Sequence, residues 1–135
     1  MLCTVDFDSN SIAALNFGWR LAQEYRAAIS LLHVVRVPFE ASEVPVEPTT
    51  PEWEQDARAQ LVKVAADNLG AKAKCNLLVR SGDPAGAILE VEKELRPDLI
   101  VMATHGRTGL SHLVLGSVAE RTVRESTVPV LTVRG

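Results

Sequence analysis

Cysteine is scarce in this sequence of 135 residues, which contains only Cys3 and Cys75. The two form no Cys-x-x-Cys pair, and no histidine pair stands near them at ligand spacing. Their arrangement therefore suggests neither a disulfide framework nor a cysteine-based zinc site. Because free cysteine is usually buried, we expect both to be small core residues.

The sequence also has no long run of one charge and no long hydrophobic run. Lysine and arginine number 14 against 17 aspartates and glutamates, a formal net charge of -3, so the basic footprint of a non-specific nucleic-acid binder is missing. Apolar stretches such as Leu99 to Ala103 are too short to span a bilayer. The first residues have neither a basic segment nor a signal-peptide hydrophobic segment, so we predict a cytoplasmic protein.

What the sequence does contain is typical of one globular domain. Hydrophobic residues make up 47% and charged residues 23%, enough apolar surface for a single core. The length fits one domain over residues 1–135, with no internal repeat.

Apolar runs alternate with amphipathic stretches along the whole chain, which is typical of βα units that build a parallel sheet. The pattern predicts an α/β fold, a five-stranded parallel sheet with helices on both faces in a Rossmann-like or flavodoxin-like arrangement. Pro129 fits the last strand only if that strand lies at a sheet edge or begins there. The predicted strands are Leu2 to Val5, Ala28 to Val35, Lys74 to Arg80, Asp98 to Ala103 and Val128 to Val133.

Capping and breaking residues predict four helices. The first begins at the polar residues Ser9, Asn10 and Ser11 and runs to about Tyr25; the second follows Thr50-Pro51 and stops at Gly70; the third runs from Asp83-Pro84 to Arg96; the last begins near Ser117.

The segment from Pro38 to Pro51 contains four prolines and three glutamates, a composition that resists regular structure. We expect an exposed, acidic, mobile loop. Since it follows the second strand, it is a candidate lid over a site at the strand ends.

The segment that leaves the fourth strand is the strongest candidate for binding. Ligands of open α/β sheets bind at the carboxyl ends of the strands, where the strand order reverses, so Asp6 and His105 are expected to face one crevice. Gly106 and Gly116 can bring backbone N–H groups close to an anion, and Ser117 adds a hydroxyl at a helix start. Alternatively, the two glycines are simple turn and N-cap residues, and Asp6 is a turn or helix-start carboxylate.

Five separated motifs in this order resemble the universal stress protein family. They are Thr4-Val5-Asp6 before a helix, Leu32-His33-Val34-Val35, Gly82-Asp83-Pro84, Asp98-Leu99-Ile100-Val101-Met102, and His105-Gly106 through Gly116-Ser117. A further segment of the family pattern, Val128-Pro129-Val130-Leu131, follows them near the end of the sequence. The resemblance spans nearly the whole chain and implies an adenine nucleotide alpha-hydrolase-like fold with strand order 3-2-1-4-5.

The resemblance also implies a set of nucleotide-binding residues. Nucleotide-binding members carry Gly-x-x-Gly, nine residues, then Gly-Ser or Gly-Thr; this chain matches with Gly106 and Gly116-Ser117 but has Ala103 at the first position. Asp6 would bind the ribose, and the backbone at Val34 would meet the adenine. Gly106, Gly116, Ser117 and the N–H of Val118 would hold the phosphates. Arg107 could complement the phosphate charge or be a solvated surface residue, and His105 would stand nearby without a positioned nucleophile.

These residues predict a protein that binds ATP, with a divalent cation such as magnesium, and acts as a nucleotide-dependent regulator of the stress response. A homodimer through the edge strand Val128 to Val133 is implied as well. The alternatives are a dimeric interaction scaffold without nucleotide and a slow ATPase. No P-loop or Gly-x-Gly-x-x-Gly motif is present, and no activated nucleophile supports efficient turnover.

Overall fold

A computed structural model describes residues 1–36, 52–105 and 115–134. Strands and helices alternate through these ranges, as the sequence pattern predicts. The elements are β1 (Leu2–Thr4), α1 (Ser9–Glu24), β2 (Ser30–Val35), α2 (Glu52–Leu69), β3 (Asn76–Ser81), α3 (Pro84–Leu95), β4 (Ile100–Ala103), α4 (Ser117–Glu125) and β5 (Val130–Val133).

The five strands form one parallel sheet in the order β3-β2-β1-β4-β5, which confirms the predicted fold class and strand order. Leu2 of β1 is paired with Ser30 on one side and with Ile100 on the other, so β1 lies at the centre. The chain moves outward from β1 to β2 and β3, then crosses back to β4 and β5. The sheet therefore reverses its direction of growth between β1 and β4.

Four of the five strands begin about two residues later than predicted, because pairing with the neighbouring strand starts later than the apolar run does. In β5 the first paired residue is Val130, opposite Ile100. Pro129 directly precedes it, and its carbonyl oxygen accepts a hydrogen bond of 3.0 Å from the Ile100 N–H. β5 is an edge strand, which confirms the prediction that a strand containing Pro129 lies at a sheet edge or begins there.

Side-chain caps fix the starts of α1 and α3. Asp83 caps α3 by accepting a 2.9 Å hydrogen bond from the Gly86 N–H, as predicted. The polar residues predicted to cap α1 do not cap it; Asp8 does, through a 2.8 Å bond from the Ser11 N–H. The predicted cap of α2, Thr50-Pro51, lies outside the described residues.

Hydrophobic side chains fill both faces of the sheet. One cluster lies under α1 and α2 and includes Cys3, Leu15 and Leu61; the other lies under α3 and α4 and includes Leu2 and Ile100. Burial raises the pKa of the Cys3 thiol to about 12, so it stays protonated. Cys75 is half-buried and packs against the first cluster.

Candidate functional site

A crevice opens at the carboxyl ends of β1, β2 and β4, where the sheet reverses its direction of growth. It encloses about 740 Å³ of empty space, which includes its open mouth. Its described lining is Thr4, Val5, Asp6 and Ser11 from β1 and α1; Leu32, Val34 and Arg36 from β2; Pro84 and Ile88 from α3; Met102, Ala103, Thr104 and His105 from β4; and Gly116, Ser117, Val118 and Ala119 from α4.

Asp6 lines the crevice just after β1 ends, and its surroundings hold it there. Its backbone N–H donates to the Ser11 hydroxyl at 3.2 Å, and its Oδ1 accepts from the Asp8 N–H at 3.1 Å. Asp8 is the residue that caps α1. Asp6 is therefore not used as a helix cap. Burial, together with the neighbouring Asp6 carboxylate, raises the pKa of Asp8, although its hydrogen bond from Ser11 acts in the opposite direction.

The start of α4 forms another wall. Gly116 is the N-cap residue without a side-chain cap, and its N–H donates to the Thr104 carbonyl at 2.8 Å. The Gly116 N–H is therefore bonded within the protein and not available to bind a ligand. Ser117, Val118 and Ala119 are the first residues of α4, and N–H groups at these positions lack acceptors within the helix. These N–H groups form the positive end of α4, which lies at the crevice and can bind an anion.

The backbone of Gly116 does not need glycine, since its φ of −59° is open to any residue, but space beside it is short. A Cβ built on Gly116 would lie 3.0 Å from the Thr104 carbonyl oxygen and 3.5 Å from the His105 Cα. The glycine thus lets α4 approach the end of β4 closely.

β2 extends beyond the end of β1 at the carboxyl edge of the sheet. The last paired residues of these strands are Thr4 and Leu32, so Val34 lies beyond the end of that pairing. Val34 lines the crevice at this point. Arg36, one residue after β2 ends, adds an exposed cation to the lining.

Ala103 is the last residue of β4 and pairs with Val133 of β5. It is not among the described residues with positive φ, so its backbone does not need glycine. After it, the Thr104 hydroxyl lies 2.9 Å from Nδ1 of His105, and both residues are half-buried in the lining.

The structure brings most of the predicted site residues together in this one crevice. Gly106 and Arg107 lie outside the described residues, as does the expected lid from Pro38 to Pro51. Sequence reasoning missed Arg36 and Thr104. Their only signal was position, since each stands one residue after a strand whose carboxyl end meets the crevice. The predicted residues found in the lining are Asp6, Val34, Ala103, His105, Gly116, Ser117 and Val118.

In residues 1–36, 52–105 and 115–134, no group of three or more histidine, cysteine, aspartate or glutamate side chains could hold a metal ion. Over the same ranges, no helix is both long and apolar enough for a membrane crossing.

Comparison with known proteins gives a consistent result. The model of the Universal stress protein family matches residues 1–134. The universal stress protein MJ0531 of Methanocaldococcus jannaschii is 35% identical over 130 residues, which cover 92% of this chain and 75% of that protein.

Solved structures of this family have the same fold. One is a universal stress protein in complex with cAMP, with a TM-score of 0.73 and 21% identity, covering 98% of this chain and 94% of the other. Another is the universal stress protein from Archaeoglobus fulgidus in complex with dAMP, with a TM-score of 0.68 and 20% identity, covering 98% and 94%.

Proposed function

Since the chain belongs to the universal stress protein family, we propose that it binds ATP in the strand-end crevice and acts as a nucleotide-dependent regulator of the stress response. The observation that carries the proposal is the crevice itself. A helix start that suits an anion lies on one side, the Asp6 carboxylate in the middle, and the end of β2 on the other side.

The order of these groups matches the order of chemical groups in a nucleotide. The sheet order β2-β1-β4 sets the sequence of contacts across the crevice. Phosphates bind at the N–H groups of Ser117 and Val118, the ribose hydroxyls donate to Asp6, and the base lies against the backbone at Val34. Solved relatives in complex with cAMP and dAMP support an adenine nucleotide as the ligand class.

The triphosphate binds as its magnesium complex in this proposal, because Mg²⁺ usually takes most of its ligands from phosphates and water. Gly106 and Arg107, which follow His105 in the sequence, complete the phosphate-binding segment. Ala103 is compatible with binding because its backbone has no positive φ. We place no catalytic step on His105.

The proposed active form is a homodimer. β5 is a sheet edge, and all four of its residues are only half-buried in the single chain. Unpaired apolar edge strands favour pairing with a second strand. A second copy of β5 is the partner proposed for this edge.

Titration calorimetry of nucleotide-stripped protein with ATP and magnesium tests the proposal. We expect saturable binding at micromolar ATP. Gly116→Val is expected to weaken binding more than tenfold, because a branched side chain meets the Thr104 carbonyl or enters the crevice. Circular dichroism checks that the variant remains folded.

A matched pair of serine variants locates the phosphates. Ser117 and Ser9 are each the exposed first residue of a helix, but only Ser117 lines the crevice. Ser117→Ala keeps the backbone N–H but removes the hydroxyl, a further donor to the phosphates, and should weaken ATP binding several-fold, whereas Ser9→Ala should leave it unchanged. No binding by the wild-type protein at millimolar ATP would reject the proposal and favour the scaffold function.

A further inference from the structure

Phe7, the residue after Asp6, has a backbone conformation that side chains rarely adopt. Its φ is +69°, one of three positive values at non-glycine residues in the described part of the chain. The left-handed region is unfavourable for an aromatic residue. Such strain persists only where surrounding contacts hold it, and it concentrates at functional sites.

The contact that holds Phe7 is a ring stack. The Phe7 ring lies on the His33 ring with centroids 4.2 Å apart and an interplanar angle of 29°. His33 is itself fixed, because its Nδ1 donates to the Val5 carbonyl oxygen at 2.7 Å. Phe7, His33 and Val5 therefore lock the chain at the point where β1 becomes the turn before α1.

Phe7 and Asp6 are neighbours in the chain but contact different parts of the molecule. The Phe7 side chain packs against the cluster under α1 and α2 and is not part of the crevice lining, whereas Asp6 lines the crevice. Because the two residues share one turn, fixing the Phe7 ring in the core also fixes the backbone that carries the Asp6 carboxylate. The bond from the Asp8 N–H to Asp6 Oδ1 spans Phe7 and depends on the same turn.

We propose that Phe7 is a positioning residue, whose left-handed turn, held by the stack on His33, aims the Asp6 carboxylate at the vicinal hydroxyls of the bound sugar. This inference depends on the nucleotide binding proposed above. The preference for a sugar with both hydroxyls then depends on Phe7, although Phe7 does not touch the ligand.

The test measures the affinity ratio between ATP and 2′,3′-dideoxy-ATP, which lacks both hydroxyls. A general loss of structure weakens both ligands alike and leaves the ratio unchanged. Since a hydrogen bond to a charged group is worth at least about tenfold in affinity, we expect the wild-type ratio to be about ten or more. Asp6→Ala, the reference, should bring it close to one.

Phe7→Ala should lower the ratio of ATP affinity to dideoxy-ATP affinity about tenfold, to the value of Asp6→Ala. Phe7→Tyr keeps the aromatic ring and should therefore have the wild-type ratio. Phe17→Ala removes a phenylalanine from α1 outside the crevice lining and serves as the matched control with the wild-type ratio. If Phe7→Ala does not fold, Phe7→Leu keeps apolar volume but lacks the flat ring and is measured instead.

A Phe7→Ala or Phe7→Leu ratio less than threefold below that of the wild type would overturn this inference alone. A wild type that binds ATP and dideoxy-ATP equally would overturn the contact of Asp6 with the diol and the role of Phe7 with it, leaving ATP binding in place. Wild-type protein that binds neither nucleotide would overturn both proposals.

Discussion

Gly18 lies on the face of α1 that packs against the sheet, and its missing side chain makes room for the Cys3 thiol. A Cβ on Gly18 would lie 2.7 Å from Cys3 Sγ and 3.4 Å from Cγ1 of Val101. Cys3 and Val101 are both fully buried, so neither can yield toward solvent. The prediction is that Gly18→Ala destabilises the protein through contact with Cys3.

Two effects of opposite sign determine the magnitude. Overpacking a filled core costs about 1–3 kcal/mol. Replacing glycine by alanine inside a helix gains about 1 kcal/mol. Gly18→Ala should therefore lower the free energy of unfolding by about 1 kcal/mol. In a Cys3→Ala background the clash is gone and the helix gain remains, so the same substitution should raise it by about 1 kcal/mol.

Urea denaturation of the wild type, the two single variants and the double variant measures this reversal of sign. Gly70→Ala is the control, because a Cβ there meets nothing within 4 Å and its effect should be the same in both backgrounds. Effects of Gly18→Ala that agree within about 0.5 kcal/mol in the two backgrounds would show that Cys3 is not the opposing contact.

Three further predictions concern the acid stability, the first helix and the assembly. Burial alone would raise the pKa of Glu92, but hydrogen-bond donors that include the Thr127 hydroxyl and N–H outweigh it and hold the pKa below its usual value. Glu92 therefore stabilises the folded protein above the pKa that it has in the unfolded chain, and this stabilisation is lost as the pH falls through its pKa in the folded protein. Glu92→Gln should lower the free energy of unfolding by about 1.5–3 kcal/mol at pH 7 and flatten the acid part of the stability–pH curve. An equally steep acid loss in the variant would contradict this. Asp8→Ala should cost about 1 kcal/mol and Asp8→Asn much less, because asparagine also caps helices; equal losses in thermal unfolding would remove the capping role. In sedimentation at micromolar concentration, Val130→Lys should shift a dimer toward monomer by placing a charge on the β5 edge, and a monomeric wild type would refute that interface.

The fold was predictable because its signals are local and repeated. Asp83-Pro84 marks the start of α3 by cap and ring geometry that need no distant contact. Glu92 shows where such reasoning ends. It looks like a solvent-exposed helix residue, yet it is buried and accepts hydrogen bonds from Thr127, 35 residues further along the chain. That pairing exists only once α3 and the approach to β5 are packed together.

The candidate site was predictable to the same extent. Asp6 and Ser117 line the same crevice because the carboxyl ends of parallel strands share one edge of the sheet. This follows from the topology alone. Sequence could not show that the Gly116 N–H is already bonded to Thr104, or that Phe7 adopts positive φ. Both depend on the distance between elements after packing, and a phenylalanine carries no local preference for that conformation.

The central position of β1 has a consequence for how the chain folds. β1 (Leu2–Thr4) is made before the other four strands, but the strand on its second side, β4, is made about a hundred residues later. While the chain is synthesised, β1, β2 and β3 can assemble with α1 and α2 into a three-stranded intermediate. In that intermediate the edge of β1 that will receive β4 stays open, beside Leu2 and Cys3, which are fully buried in the finished protein. Such an edge is prone to aggregation, so we expect the growing chain to be most vulnerable until Ile100–Ala103 has joined the sheet.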